Sequence, residues 1–269
     1  MLVMVLSASG QRKIAAPFKI ETSGMEISFD FSNQNNLQLL TMLPKGIDKS
    51  TAYIGNCDDF GNEVYLQLTG ENQSAHHGTK LAGGSAGKRL VFVGKSESVT
   101  GYGKQVVIEQ RDSVNNLSVQ SFYEYSNTSP TIRRYTRITN RGRKAVGIDY
   151  LSSAILNNFN NLVKGTPEEN VRIHYAYNSW QSEAQWHASK PSQLGWNYND
   201  TYNVTGANFS NIGSWSSMRY LPMGLIENTK AGVTWFWQIE HNGSWYAELS
   251  NLIDSTNYLY LGGPDAMHS

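Results

Sequence analysis

One cysteine, Cys57, stands among 269 residues, which excludes an intrachain disulfide framework and a cysteine-based structural zinc site. Net charge is missing too. The 22 Lys+Arg balance 22 Asp+Glu, so no overall field draws the chain to nucleic acid or to a membrane surface, and neither partner is expected. No apolar run approaches the ~18 to 20 residues of a membrane span. Met1 to Leu6 is apolar, but it lacks a basic flank and is shorter than the roughly 7 to 15 residues of a signal-peptide core. An exported parent protein is therefore expected to carry its leader elsewhere. Good helix formers are few, whereas aromatics reach 12% beside 24 glycines and many Asn, Ser and Thr, a composition that suits β-structure. Asn-x-Ser/Thr sequons occur at Asn72, Asn116, Asn127, Asn199, Asn203, Asn208 and Asn242. They are compatible with secretion, but an Asn-rich chain generates several by chance, and the compartment stays open.

What is present is alternation with a period of two. Met25, Ile27, Phe29 and Phe31 are separated by Glu26, Ser28 and Asp30, giving one apolar and one wet face. The pattern recurs at Val64, Leu66 and Leu68, and at Leu117, Val119, Tyr123 and Tyr125. It recurs again at Ile132, Thr136 and Ile138 set against Arg133, Tyr135 and Arg137. Turn signals lie between these runs: Asn115-Asn116, Asn127 to Pro130, Asn140 to Gly142 and Asn242-Gly243. No capped helical period and no linker composition appear. The expectation is one all-β domain, a large sandwich of two antiparallel sheets. Asn72 to Gly87 and Trp180 to Ser210 lack alternation and read as long loops. In the second, aromatics among amides suit a sugar-binding surface, with a loop packed by its own tryptophans as the alternative.

Several motifs yield to plainer readings. Gly83 to Gly87 matches Gly-x-Ser-x-Gly, but a nucleophile elbow needs a strand before the serine and a helix after it, and Leu90 to Val93 reads as a strand. Gly87-Lys88 lacks the Ser/Thr and upstream glycine of a phosphate loop. His76-His77 has no ligand at metal spacing, so no metal and no cofactor are expected. The basic run Arg133, Arg134, Arg137, Arg141, Arg143 and Lys144 reads as a solvated sheet face. Asp58-Asp59, between Gly55 and Gly61, cannot be a glycosidase pair, since adjacent carboxyls do not face one another across a scissile bond. Either one could accept sugar hydroxyls or simply form a turn.

Five ordered segments together resemble the N-terminal domain of glycoside hydrolase family 36, the α-galactosidase and raffinose-synthase family. They are Leu68-Thr-Gly-Glu-Asn-Gln73 with His76-His77-Gly78; Asn178-Ser-Trp-Gln-Ser-Glu-Ala-Gln-Trp186; Gly213-Ser-Trp-Ser-Ser217 with Tyr220-Leu-Pro-Met-Gly224; Trp237-Gln-Ile-Glu-His-Asn-Gly-Ser-Trp245; and Leu259-Tyr-Leu-Gly-Gly-Pro264. The resemblance runs from about Met25 to the C-terminus, leaving residues 1–24 as an unassigned extension. It implies a β-supersandwich akin to galactose mutarotases, with hydrolysis of α-galactosides performed by two Asp residues on a downstream (β/α)8 barrel that this sequence does not contain. No catalytic residue is therefore assigned, and the chain alone is expected to be inactive. The resemblance further implies a homo-oligomer in which a Gly-Asp-aromatic loop reaches a neighbouring subunit's pocket. Asp59-Phe60 is the matching position, but Cys57-Asp58 stands where a glycine would precede the Asp, so Asp58 and Asp59 are both candidates. With Trp180 and Trp186 they form the expected substrate-binding set. The alternatives are a structural assembly domain and a free-standing carbohydrate-binding module that stacks sugars on Trp180, Trp186, Trp215, Trp235, Trp237 and Trp245.

Overall fold

A computed structural model describes residues 15–50, 52, 61–71, 81, 85–199, 203–251 and 257–264. Among these are sixteen strands, all paired antiparallel. β1 (Phe18–Glu21), β2 (Met25–Phe31) and β3 (Leu37–Pro44) form a meander. After the three-residue β4 (Leu66–Leu68) comes one helical turn, α1 (Ser85–Lys88). A second meander follows, made of β5 (Val91–Val99), β6 (Lys104–Asp112), β7 (Leu117–Tyr125) and β8 (Ile132–Asn140). β9 (Ile148–Asn157) then crosses to pair with β4. α2 (Pro167–Asn170) leads into the hairpin of β10 (Val171–Ser179) and β11 (Ser182–Ser189). The chain closes with β12 (Ala207–Asn211), β13 (Tyr220–Asn228), β14 (Val233–Gln238), β15 (Trp245–Asn251) and β16 (Asn257–Pro264). Two more sheets result, ordered β12-β15-β16-β9-β4 and β11-β10-β13-β14.

Apolar faces explain how the sheets stack. Ile20, Ile27, Phe29, Leu37 and Leu39 of the first meander meet Val106, Ile108, Tyr123 and Tyr125 of the second. Val171, Ile173, Ile226, Val233 and Trp235 of the four-stranded sheet meet Phe209, Trp245, Ala247, Leu249, Leu259 and Leu261 of the five-stranded one. Leu43 of β3 joins this larger core, and β4, β7, β8 and β9 share a third cluster around Val64, Leu66, Leu117 and Val119. The expected antiparallel sandwich is thus formed, its layers divided by hydrogen bonding into four sheets.

The four turn signals fall between strands. At the β6–β7 turn Asp112 accepts Val114 N at 2.8 Å, and Asn116 takes φ 55°, a left-handed conformation asparagine tolerates. Gly262 sits at a bulge between β9 and β16 where a Cβ would lie 2.9 Å from Ser152 Cα, so this close approach admits only glycine.

Two expectations are corrected. Trp180 to Ser210 is not a loop: it contains β11, a 3-10 turn (Pro191–Leu194) and the start of β12. β11 gave no alternation because it is an edge strand with nearly every side chain exposed. The basic run is not wholly solvated either. Arg133, Arg137, Arg141, Arg143 and Lys144 are exposed, but Arg134 shares the inward register of Ile132 and Thr136, with its side chain 3% exposed against a Glu63 carboxylate at 0%. Arg134 bonds Glu63 Oε1 and donates to the carbonyls of Glu63 at 2.5 Å and Ser153 at 2.6 Å. Glu63 also accepts Gln110 Nε2 and Ser121 Oγ, both at 2.8 Å, and Tyr123 OH at 2.7 Å.

Removing one partner of such a pair leaves a buried, uncompensated charge. Arg134→Met is expected to destabilise the chain by about 3–5 kcal/mol in urea unfolding, whereas Arg133→Ala, an exposed partner of Glu240, costs under about 1 kcal/mol. Equal losses would contradict this assignment.

Candidate functional site

Burial sorts the seven tryptophans. Trp196, Trp235 and Trp245 are buried, and each indole N–H is satisfied inside the protein: Trp196 by Asn251 Oδ1 at 2.8 Å, Trp235 by Met42 O at 2.6 Å, Trp245 by Ser216 O at 2.6 Å. Trp237 is half-buried, packing over Gly224 and edge-on to Trp245. These four are therefore core or lining, so Trp235, Trp237 and Trp245 drop out of the six-tryptophan platform. Trp180, Trp186 and Trp215 remain in solvent at 71%, 47% and 52% exposure.

Trp180 sits in the two-residue turn of the β10–β11 hairpin, where Gln181 takes φ 59°. Register pairs Trp186 with Ala176 and His187 with Tyr175, so Trp186 and His187 point to opposite faces of β11. On the His187 face an aromatic cluster climbs from the core to solvent. Phe209 and Tyr175 (5.0 Å) lie inside, and Tyr220 is edge-on to Phe209. Tyr177 stacks on Tyr220 at 5.1 Å, and His187 stacks on Tyr175 at 5.7 Å. Tyr177 and His187 are exposed. The neighbouring segment between β12 and β13 carries Trp215 and Met218 outward and is held by its backbone. Asn178 Nδ2 donates to Ser217 O at 2.6 Å, Asn211 Nδ2 to Trp215 O, and Gly213 N to Ser244 Oγ at 2.9 Å. Arg219 lies over the Tyr220 ring at 5.1 Å. The sequence flagged Trp180, Trp186 and Trp215 but missed Tyr177 and His187, which register across β10 and β11 brings together.

Asp58, Asp59, His76 and His77 lie outside the described residues. Ser85 opens α1, and β5 follows that single turn. Of the sequons, Asn116, Asn127, Asn208 and Asn242 are exposed, while Asn203 is buried against Ser250 and Asn251. A recess of about 440 Å³ lies beside Phe18, Phe29 and Leu40. Its charged rim is internally paired, with Glu26 bridging Lys49 at 2.5 Å and Lys19 at 3.1 Å, and holds one cation more than it has carboxylates. The Lys49 hydrogen bond leads in holding the Glu26 carboxyl below its usual range.

A constellation the sequence did not suggest occupies the other face of the five-stranded sheet. Glu248, 2% exposed, accepts Tyr258 OH at 2.8 Å, Tyr246 OH at 3.0 Å and Leu81 N at 2.9 Å. Tyr65, Tyr150 and Tyr260 pack around it. Burial pushes the Tyr150 and Tyr258 phenols well above the ordinary tyrosine range, and the Glu248 charge adds to this.

No family model matches the chain, and no curated protein matches it in sequence. Its fold is similar to those of solved α-galactosidases. The Lactobacillus brevis enzyme is 12% identical with a TM-score of 0.61, over 93% of this chain and 36% of that one. The galactosidase domain of the α-galactosidase-sucrose kinase AgaSK is 14% identical with a TM-score of 0.68, over 94% and 38%. The family 36 α-galactosidase AgaA from Geobacillus stearothermophilus is 11% identical with a TM-score of 0.62, over 91% and 37%. Variants of AgaA are known in complex with raffinose and with stachyose. The chain thus spans little more than a third of the length of the structures it matches.

The tyrosines give a pH prediction. Unfolded tyrosine ionises near 10.0, whereas buried Tyr123, Tyr150 and Tyr258 keep their protons to higher pH. Above that value the folded chain binds more protons than the unfolded one, so stability falls as pH rises and is unaffected by these groups below it. The urea midpoint should drop between about pH 10 and 12, with the share of tyrosinate absorbance that belongs to these three buried rings appearing only as the chain unfolds.

Proposed function

We propose that this chain is the N-terminal, non-catalytic domain of an α-galactosidase-type glycoside hydrolase, beginning at or before Met25 and preceding a catalytic barrel. The supporting observation is the fold likeness that takes in nearly all of this chain but little more than a third of each α-galactosidase. The domain would brace the barrel and the oligomer, and its Asp58–Asp59 loop, with Trp180 and Trp186, would contact a terminal α-galactosyl residue. A carboxylate suits that task, since charge-assisted hydrogen bonds to sugar hydroxyls are short and strong. The exposure of Trp180 and Trp186 leaves both rings open to a ligand or to the barrel. The chemical step belongs to the barrel's paired carboxylates.

The 269-residue chain is expected to leave a nitrophenyl α-galactoside intact; turnover by the purified chain would overturn the non-catalytic role. In the barrel-containing enzyme, Asp59→Asn or Asp58→Asn should lower kcat/KM roughly 10- to 150-fold, the worth of one charge-assisted hydrogen bond at about 1.5–3 kcal/mol. The melting temperature should not change. Unchanged kcat/KM in both variants would remove the loop from the substrate.

A further inference from the structure

We propose that the end of the sandwich formed by Tyr177, His187, Trp215 and Arg219 is a saccharide-binding face that works without the barrel. None of its residues belongs to the Asp58–Asp59 segment of the sequence. That its ligand is a galactoside rests on the function proposed above; that it takes a pyranose ring rests on the surface itself.

Three observations point there. First, two of the rings, and the backbone that carries the third, are fixed in advance. Tyr177 is braced by its stack on Tyr220, and His187 by its stack on Tyr175. The segment bearing Trp215 is pinned at Ser217 O, Ser216 O and Trp215 O by Asn178, Trp245 and Asn211. A preorganised aromatic surface spends little entropy on binding. Second, these rings stay in solvent although the same cluster buries Phe209, Tyr175 and Tyr220 to within 8% exposure a few ångströms inward. Leaving Trp215 half exposed forfeits burial that the fold obtains elsewhere. Third, the chemistry around them is that of sugar recognition: ring faces for the C–H side of a pyranose, with the Arg219 guanidinium and the exposed Gln185 amide beside them for hydroxyls. Ile212 and Met218 are exposed on the same segment, but the flat ring faces, not these side chains, supply the surface that the C–H side of a pyranose covers.

The test is titration of the 269-residue chain with raffinose and separately with maltose, followed by amide chemical-shift changes. Raffinose is expected to give saturable shifts in residues of the β10–β11 hairpin and of the segment 212–219. Trp215→Ala should weaken binding about threefold to tenfold, as should Tyr177→Ala; Phe236→Ala, exposed on β14, should not. Trp215→Ala removes only an exposed side chain and keeps the backbone bonds, so it decides the matter should Tyr177→Ala fail to fold. Binding of maltose but not raffinose to these residues would uphold the saccharide face while removing the galactoside assignment. No saturable shift with either sugar well above millimolar concentration would overturn the face and leave the proposed domain role standing. So would binding that persists unchanged in Trp215→Ala.

Discussion

The sandwich depends on one buried ion pair. Glu63 precedes β4, and Arg134 lies in β8 with its guanidinium also on the carbonyl of Ser153 in β9. Burial alone would lower the arginine's pKa, but Tyr123 and Glu63 outweigh it and hold the charge more firmly than in water. Both charges have left water, which is tolerable only where nearly every lone pair and proton finds a partner. Gln110, Ser121 and Tyr123 supply those partners from β6 and β7. The knot therefore accepts a single register of the second meander against β4 and β9. An apolar cluster of the same volume would hold these layers together without fixing how they are slid.

Asparagine does the equivalent work elsewhere. Asn157 and Asn158 donate to Leu39 O and Leu40 O of β3 at 2.8 and 2.9 Å, tying the first meander to the end of β9. Asn257 Oδ1 accepts Asn160 N at 2.8 Å, and its Nδ2 donates to Asn161 Oδ1 at 2.9 Å. Asn228 caps Phe159 O at 3.0 Å. Much of a composition that reads as turns or sugar contacts is thus internal scaffolding. An amide side chain mimics the peptide group and closes backbone positions that no strand reaches.

Where a strand has one wet and one dry face, the sequence announces it: β2, β4, β7 and β8 are legible, as are the turns between them. Legibility fails where the pattern loses contrast. β11 is wet on both faces, so the sequence around Trp186 reads as a loop. Arg134 occupies an inward register with a polar side chain, and only Glu63, 71 residues away in sequence, reveals why. Trp235 and Trp245 look like the exposed tryptophans in composition, and their inward phase in β14 and β15 separates them. The exposed ring cluster was the least legible of all. Tyr177, His187 and Tyr220 come from three strands, and cross-strand register, unlike alternation within one strand, is not written in any local pattern.

The same devices that build the core also build the exposed end. Asn211 closes β12 with Nδ2 on Trp215 O and Oδ1 on Arg219 N, and Asn178 ties the β12–β13 connection to the start of β11 through Ser217 O and Ala184 N. These amides satisfy backbone groups within the turns, so the aromatic side chains are not needed to hold the turns together. A turn stabilised by its own rings has to bury them, as Trp196 is buried with its indole on Asn251. Once amides take over that task, Trp215 and Tyr177 are left facing outward on a rigid frame, free to meet something other than the protein itself.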